Sequence, residues 1–125
     1  MKKLFGIRSD GLEAYSYTIT GGGLTAEISD YGATLWSLQV PDKNGDVADV
    51  VLGFQDVNGH RTSTTYFGAT VGRNANRIGG AQFVLNGKTY NLPANDNGRN
   101  NLHSAPDSYA FRLWKVVAHK QNSIT

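Results

Sequence analysis

The sequence predicts an all-β fold of antiparallel strands, and three observations carry that reading. Fifteen glycines punctuate the 125 residues. Asn-Gly and Asp-Gly pairs recur between short stretches rich in Val, Ile, Thr, Tyr and Phe, at the spacing of successive strands. A helical apolar period is nowhere sustained.

The elements follow in order. Leu24, Ala26 and Ile28 alternate with polar neighbours, Ser29-Asp30-Tyr31-Gly32 interrupts, and Ala33 to Val40 resumes a strand pattern. Pro41-Asp42-Lys43-Asn44-Gly45-Asp46 is a turn, and Val47 to Leu52 reads as the returning strand. Between Ala81 and Leu92, Asn86-Gly87 suits a two-residue type I′ hairpin. Pairing Leu85 with Lys88 then pairs Phe83 with Tyr90, so that Phe83, Leu85, Tyr90 and Leu92 share a face expected to be core. Pro93 to Pro106 is a polar, turn-rich surface loop. Tyr109 to Ala118 reads as an apolar strand carrying Trp114, and Asn122 to Thr125 as a strand beginning. Residues 1–125 are expected to form one domain or part of one.

Composition narrows the function classes. Twelve Lys and Arg against ten Asp and Glu leave a formal charge of +2 with no run of like charges, so neither a nucleic-acid arm nor a membrane-surface patch is expected. With no cysteine, thiol nucleophiles, disulfides and Cys-based metal sites are excluded. The apolar stretch Leu4-Phe5-Gly6-Ile7 is too short for a signal-peptide core or a membrane span, so a cytoplasmic protein is expected.

Site chemistry concentrates in the run from Tyr66 to Ile78 and in Asn100-Asn101-Leu102-His103. Asn, Arg and His supply donors, acceptors and a proton carrier, the repertoire that a neutral polyhydroxylated ligand requires. Each also has a commoner structural use: a loop histidine caps a carbonyl, an arginine makes a surface ion pair, and an asparagine satisfies backbone groups at a strand end. His60, His103 and His119 lie too far apart in sequence for metal-ligand spacing. Gly21-Gly22-Gly23 lacks the Lys-Ser/Thr tail of a phosphate loop and reads as a turn. Trp36 and Trp114 are expected in the core or at its rim.

Tyr31-Gly32-Ala33-Thr34-Leu35, Asp49-Val50-Val51-Leu52-Gly53-Phe54, the run Tyr66 to Ile78, Asn86-Gly87-Lys88-Thr89-Tyr90 and Asn100-Asn101-Leu102-His103 occur in the order and spacing of one family. In these motifs the chain resembles the aldose 1-epimerase, or galactose mutarotase, family from about residue 20 to Val117. The resemblance implies an antiparallel β-sandwich of the galactose mutarotase type, of which residues 1–125 would be the N-terminal part. It implies an isomerase that interconverts the α and β anomers of a free hexose, D-galactose or D-glucose, without a cofactor. On that pattern Asn76 and Arg77 would bind sugar oxygens, and His103 would hydrogen-bond near the ring oxygen as both binding and catalytic residue.

The family's general acid, a second histidine, and its general base, a glutamate, would lie beyond Thr125. The glutamates here are Glu13 and Glu27, outside the motif-bearing segment, so the isolated chain is expected to lack turnover and to leave apolar surface uncovered. Ser104-Ala105 replaces the family's usual Gly-Gly, which is expected to restrict the backbone beside His103. Two alternatives remain at this point. One is a non-catalytic carbohydrate-binding or sugar-sensing module; the other is a hexose-6-phosphate 1-epimerase, which would call for further cations such as Arg73 or Arg99.

Overall fold

The computed structural model describes residues 1–125. Five antiparallel strands, β1 (Lys2–Ile7), β2 (Glu13–Gly21), β3 (Leu24–Ser29), β4 (Thr34–Pro41) and β5 (Val47–Asp49), form one sheet in sequence order. Three two-stranded ladders follow. The strand β6 (Arg77–Ile78) pairs with β9 (Asn101–Leu102), β7 (Gln82–Leu85) with β8 (Lys88–Asn91), and β10 (His119–Lys120) with β11 (Ser123–Ile124). The chain is thus all-β with antiparallel pairing throughout, as predicted, and no helix is long and apolar enough to cross a membrane.

Local chemistry sets the hairpins. Asn86 and Gly87 take φ of 51° and 73°, the two positive values a type I′ turn needs, and Leu85 pairs with Lys88 and Phe83 with Tyr90. The Asp42 carboxylate accepts from the backbone of Asn44 and Asp46, closing the turn between β4 and β5. Between β2 and β3 the turn residues are Gly22 and Gly23, which confirms the triple glycine as a turn.

Four expectations are corrected. The returning strand stops at Asp49 instead of Leu52: Val50 N–H still donates to Leu38 O, but the Asp49 carboxylate takes the backbone N–H groups of Leu38 and Val51, which interrupts the ladder there. Tyr109 to Ala118 is not one strand. A short 3₁₀ turn at Tyr109–Phe111 begins at Ser108, whose hydroxyl accepts from Ala110 N–H, and the rest divides its backbone bonds between the Asp30–Gly32 segment and Thr125.

The apolar hairpin face is not core: Phe83, Leu85 and Tyr90 are 39%, 54% and 37% exposed, although the Phe83 and Tyr90 rings stack at 5.1 Å. The register is right and nothing in the chain covers it. A short helix, α1 (Val57–Thr62), was not expected; Asp56 caps it by accepting from Asn58 and Gly59 N–H at 2.9 Å each.

The core is small, with 16 of 125 residues buried, and it lies where α1 covers one end of the sheet. Phe5, Ala14, Tyr31 and Val57 form it, with Trp36 and Leu113 packed alongside. Trp36 donates to Phe54 O and takes the rim position expected, whereas Trp114 is largely exposed. His60 is buried between Phe5 and Phe54, and Phe54 N–H donates to its Nε2. Burial pushes its imidazole below the usual histidine range, which favours the neutral ring.

Contacts made by Gly32 and Gly68 lay the Tyr66–Gly72 segment across the start of β4. Leu35 N–H donates to Gly68 O, Thr70 N–H donates to Gly32 O, and the Thr70 hydroxyl donates to Ala33 O. At Gly68, φ is +63° and an added Cβ would stand 2.0 Å from Leu35 O, so any side chain meets backbone. Gly68→Ala is expected to destabilise the fold by at least about 2 kcal/mol in urea denaturation; an unchanged midpoint would show that this approach is not a constraint.

Candidate functional site

Pairing of Arg77 with Leu102 and of Ile78 with Asn101 brings the two motif segments together. Just outside this ladder Asn76 and His103 exchange two bonds: His103 N–H donates to Asn76 O at 2.9 Å, and Asn76 N–H donates to His103 Nδ1 at 2.9 Å. The second bond has a chemical consequence. A backbone N–H can only donate, so Nδ1 is an acceptor and the neutral ring carries its proton on Nε2. Nε2–H is therefore a donor available to a ligand.

Asn76 holds φ at 58°, a left-handed conformation that asparagine tolerates better than most residues. Its Oδ1 accepts from Arg77 Nη1 at 3.1 Å. On the other edge of the guanidinium, Nε donates to Asp96 Oδ2 at 2.8 Å, with a longer Nη2 contact to Oδ1 at 3.5 Å. Arg77 is exposed, with 51% of its side chain accessible, while Asp96 retains 11%. Hydrogen bonds from Arg77 and then Asn100 hold the Asp96 carboxyl below the usual carboxylate range, and Asp96 in turn raises the Arg77 guanidinium. Both are charged at neutral pH.

Asparagines brace the His103 strand. Asn95 substitutes for a neighbouring strand, its Oδ1 accepting from Leu102 N–H at 2.9 Å and its Nδ2 donating to Leu102 O at 3.1 Å. Buried Asn101 donates through Nδ2 to Pro93 O, Asn95 Oδ1 and Ala105 O at 2.8, 3.2 and 2.9 Å. Beyond it, His103 and Ser104 both take positive φ, 54° and 59°. Serine at the glycine-favouring position is held by its hydroxyl, which donates to Asn74 O and accepts from Asn74 N–H. Those two bonds offset the strain that a Cβ introduces there.

Tyr66 faces the imidazole, ring centroids 4.6 Å apart, and is backed by Phe111 at 5.5 Å. Burial raises the Tyr66 phenol above its usual range, so it stays protonated. A cavity of about 340 Å³ opens behind the His103 loop, where Asn74, Asn101 and Ser104 line it. Asn76, Arg77 and His103 do not line that cavity; Asn76 and Arg77 stand on open surface. A larger cavity of about 400 Å³, beside Lys3, Glu27 and Trp36, lies on the five-stranded sheet away from these residues. Arg73 lies against the Tyr109 ring, 5.5 Å from its centroid.

All three residues singled out from the sequence are therefore brought together, and Asn95, Asp96, Asn101, Ser104 and Tyr66 join them as supports. No carboxylate hydrogen-bonds to His103: Glu13 pairs with Ile7 on the sheet edge, and Glu27 binds Lys3 at 2.7 Å. The unpartnered donors of Arg77 and the Nε2–H of His103 suit hydroxyl recognition.

Fold and site together define a β-sandwich of the mutarotase class, with a polar cluster of Asn76, Arg77 and His103 at its strand ends. The chain belongs to the aldose 1-epimerase family, whose model matches residues 15–125. A probable aldose 1-epimerase of Arthroderma benhamiae is 45% identical over 114 residues, 87% of this chain and 26% of the relative. Galactose mutarotase of Mus musculus is 38% identical over 90% of this chain and 33% of its own length. A solved aldose epimerase homologue from C. elegans superposes with a TM-score of 0.83 at 38% identity, over 89% of this chain and 34% of that one. The chain thus spans about a quarter to a third of the length of these relatives.

Replacing Asn101 by Ala removes the side-chain donor to Pro93 O and Ala105 O around a buried position, and one of the two donors to Asn95 Oδ1. The expected loss is about 2 kcal/mol or more in urea denaturation; a loss below about 0.5 kcal/mol would show that Asn101 does not brace the loop.

Proposed function

We propose that this chain is the sugar-holding part of an aldose 1-epimerase that interconverts the anomers of free D-galactose or D-glucose in cytoplasmic hexose metabolism. The observation that carries the reading is the reciprocal Asn76–His103 hydrogen bonding, which leaves Nε2–H of His103 as a donor without a partner in the chain. Family membership supports it.

In this reading Asn76 and Arg77 bind sugar hydroxyls, while His103 Nε2–H donates to the ring oxygen and polarises the C1–O5 bond. Anomer exchange opens the hemiacetal: a base takes the C1 hydroxyl proton as the C1–O5 bond breaks, and an acid protonates O5. The open aldehyde rotates about C1–C2 and recloses on its other face. His103 stabilises charge at O5 but has no carboxylate partner, and the ring beside it is the phenol of Tyr66, which burial keeps protonated and so unsuited to act as the base. The isolated chain therefore holds sugar without turning it over.

Titration with D-galactose is expected to move the NMR signals of Asn76, Arg77 and His103 saturably, and Arg77→Ala to weaken binding about ten-fold. Polarimetry of freshly dissolved α-D-galactose is expected to show no acceleration by the isolated chain. Absent shifts would contradict sugar holding, and mutarotation at an enzymatic rate would contradict the missing acid–base pair.

A further inference from the structure

We infer that Asp96 is a positioning and specificity residue: it aims the Arg77 guanidinium and cancels its charge, so that the site favours a neutral hexose over its phosphorylated form. The inference rests on the sugar-holding reading for its ligand, but the Arg77–Asp96 geometry stands without it.

Arginine has five N–H donors in a rigid plane. Three are engaged here: Nε and one on Nη2 by Asp96, and one on Nη1 by Asn76 Oδ1. Two remain, one on each terminal nitrogen. Held at both edges, the plane cannot rotate about the last side-chain bonds, so the remaining pair points in one direction. That pair matches two neighbouring hydroxyl oxygens.

Asp96 is itself fixed. Asn100 Nδ2 donates to Asp96 Oδ2 at 3.1 Å, and the two residues exchange backbone bonds at 3.0 Å in each direction. Asn100 Oδ1 also accepts from Gly80 N–H, linking the brace to the turn that follows β6. The carboxylate is therefore placed by backbone before Arg77 meets it. An exposed ion pair contributes little to stability, so the value of this one lies in orientation.

Charge follows from the same pair. A guanidinium free of a counterion attracts phosphate oxygens, often in bidentate fashion. With Asp96 occupying one edge and supplying a negative charge, a sugar phosphate that approaches the two remaining donors meets a repelling carboxylate. A neutral hexose does not.

The test compares the wild-type chain with Asp96→Asn and Asp96→Glu by side-chain NMR and by titration with D-galactose and D-galactose 6-phosphate. In wild type, Arg77 Nε–H is expected as a slowly exchanging, resolved signal. Asp96→Asn is expected to speed its exchange at least about ten-fold, weaken galactose binding, and raise the affinity for the phosphate relative to the free sugar by about five-fold or more. Asp96→Glu should restore the preference for the neutral sugar.

Arg77→Lys, which keeps charge but lacks the fork, should make Asp96→Asn nearly silent toward galactose. An unchanged Arg77 Nε–H signal in Asp96→Asn overturns the positioning role. An unchanged preference between the two sugars overturns the specificity role. If wild type binds neither sugar, the functional reading and the specificity role fail together, and the Nε–H comparison alone decides whether Asp96 positions Arg77.

Discussion

The reciprocal hydrogen bonds between Asn76 and His103 are the constraint on which the rest of the site depends. They join two segments 27 residues apart, fix the imidazole tautomer, and extend the two-rung ladder between β6 and β9 at the point where its strands end. Both residues adopt positive φ to make them, a conformation that costs free energy and persists only where surrounding contacts over-determine it. Those contacts are visible: Asn95 flanks Leu102, Asn101 ties the loop to Pro93 and Ala105, Ser104 grips Asn74, and Tyr66 faces the ring.

A division of labour follows. Residues that present donors outward, Asn76, Arg77 and His103, are oriented by residues that turn inward, Asn95, Asp96, Asn100 and Asn101. The site is built from short strands and loops, and polar side chains supply the rigidity that sheet pairing supplies elsewhere. The small core fits the same picture. Apolar groups of the β7–β8 hairpin lie open, so the chain has little hydrophobic burial to spare for holding a loosely made site.

Turns were the most legible part of the fold because their chemistry is local. Asn86-Gly87 specified both its conformation and the register of Phe83 against Tyr90. Exposure of that pair was not legible, since burial depends on contacts distant in sequence that local turn chemistry does not specify. The segment after Ser108 has strand composition yet turns, because the Ser108 cap and its two separate backbone partners outweigh intrinsic preference. The strands β1 and β2 lay outside the motifs and were missed, as was α1, although Asp56 ahead of Val57 carried a capping signal.

At the site, Asn76, Arg77 and His103 were legible through motif resemblance more than through residue type. Asn95 and Asp96 were not, because Asn and Asp in a turn-rich run ordinarily serve the turn itself. Only the folded ladder shows that they face Leu102 and Arg77. The replacement of Gly-Gly by Ser104-Ala105 was visible, but its compensation by the Ser104–Asn74 bonds was not.

The central claim is that Asn76 sets the chemical state of His103. Nitrogen NMR of the neutral His103 ring tests it most directly: Nε2 should carry the proton, and Nδ1 should show scalar coupling across the hydrogen bond to Asn76 N–H. A ring protonated on Nδ1, or an even mixture of tautomers, would contradict the account.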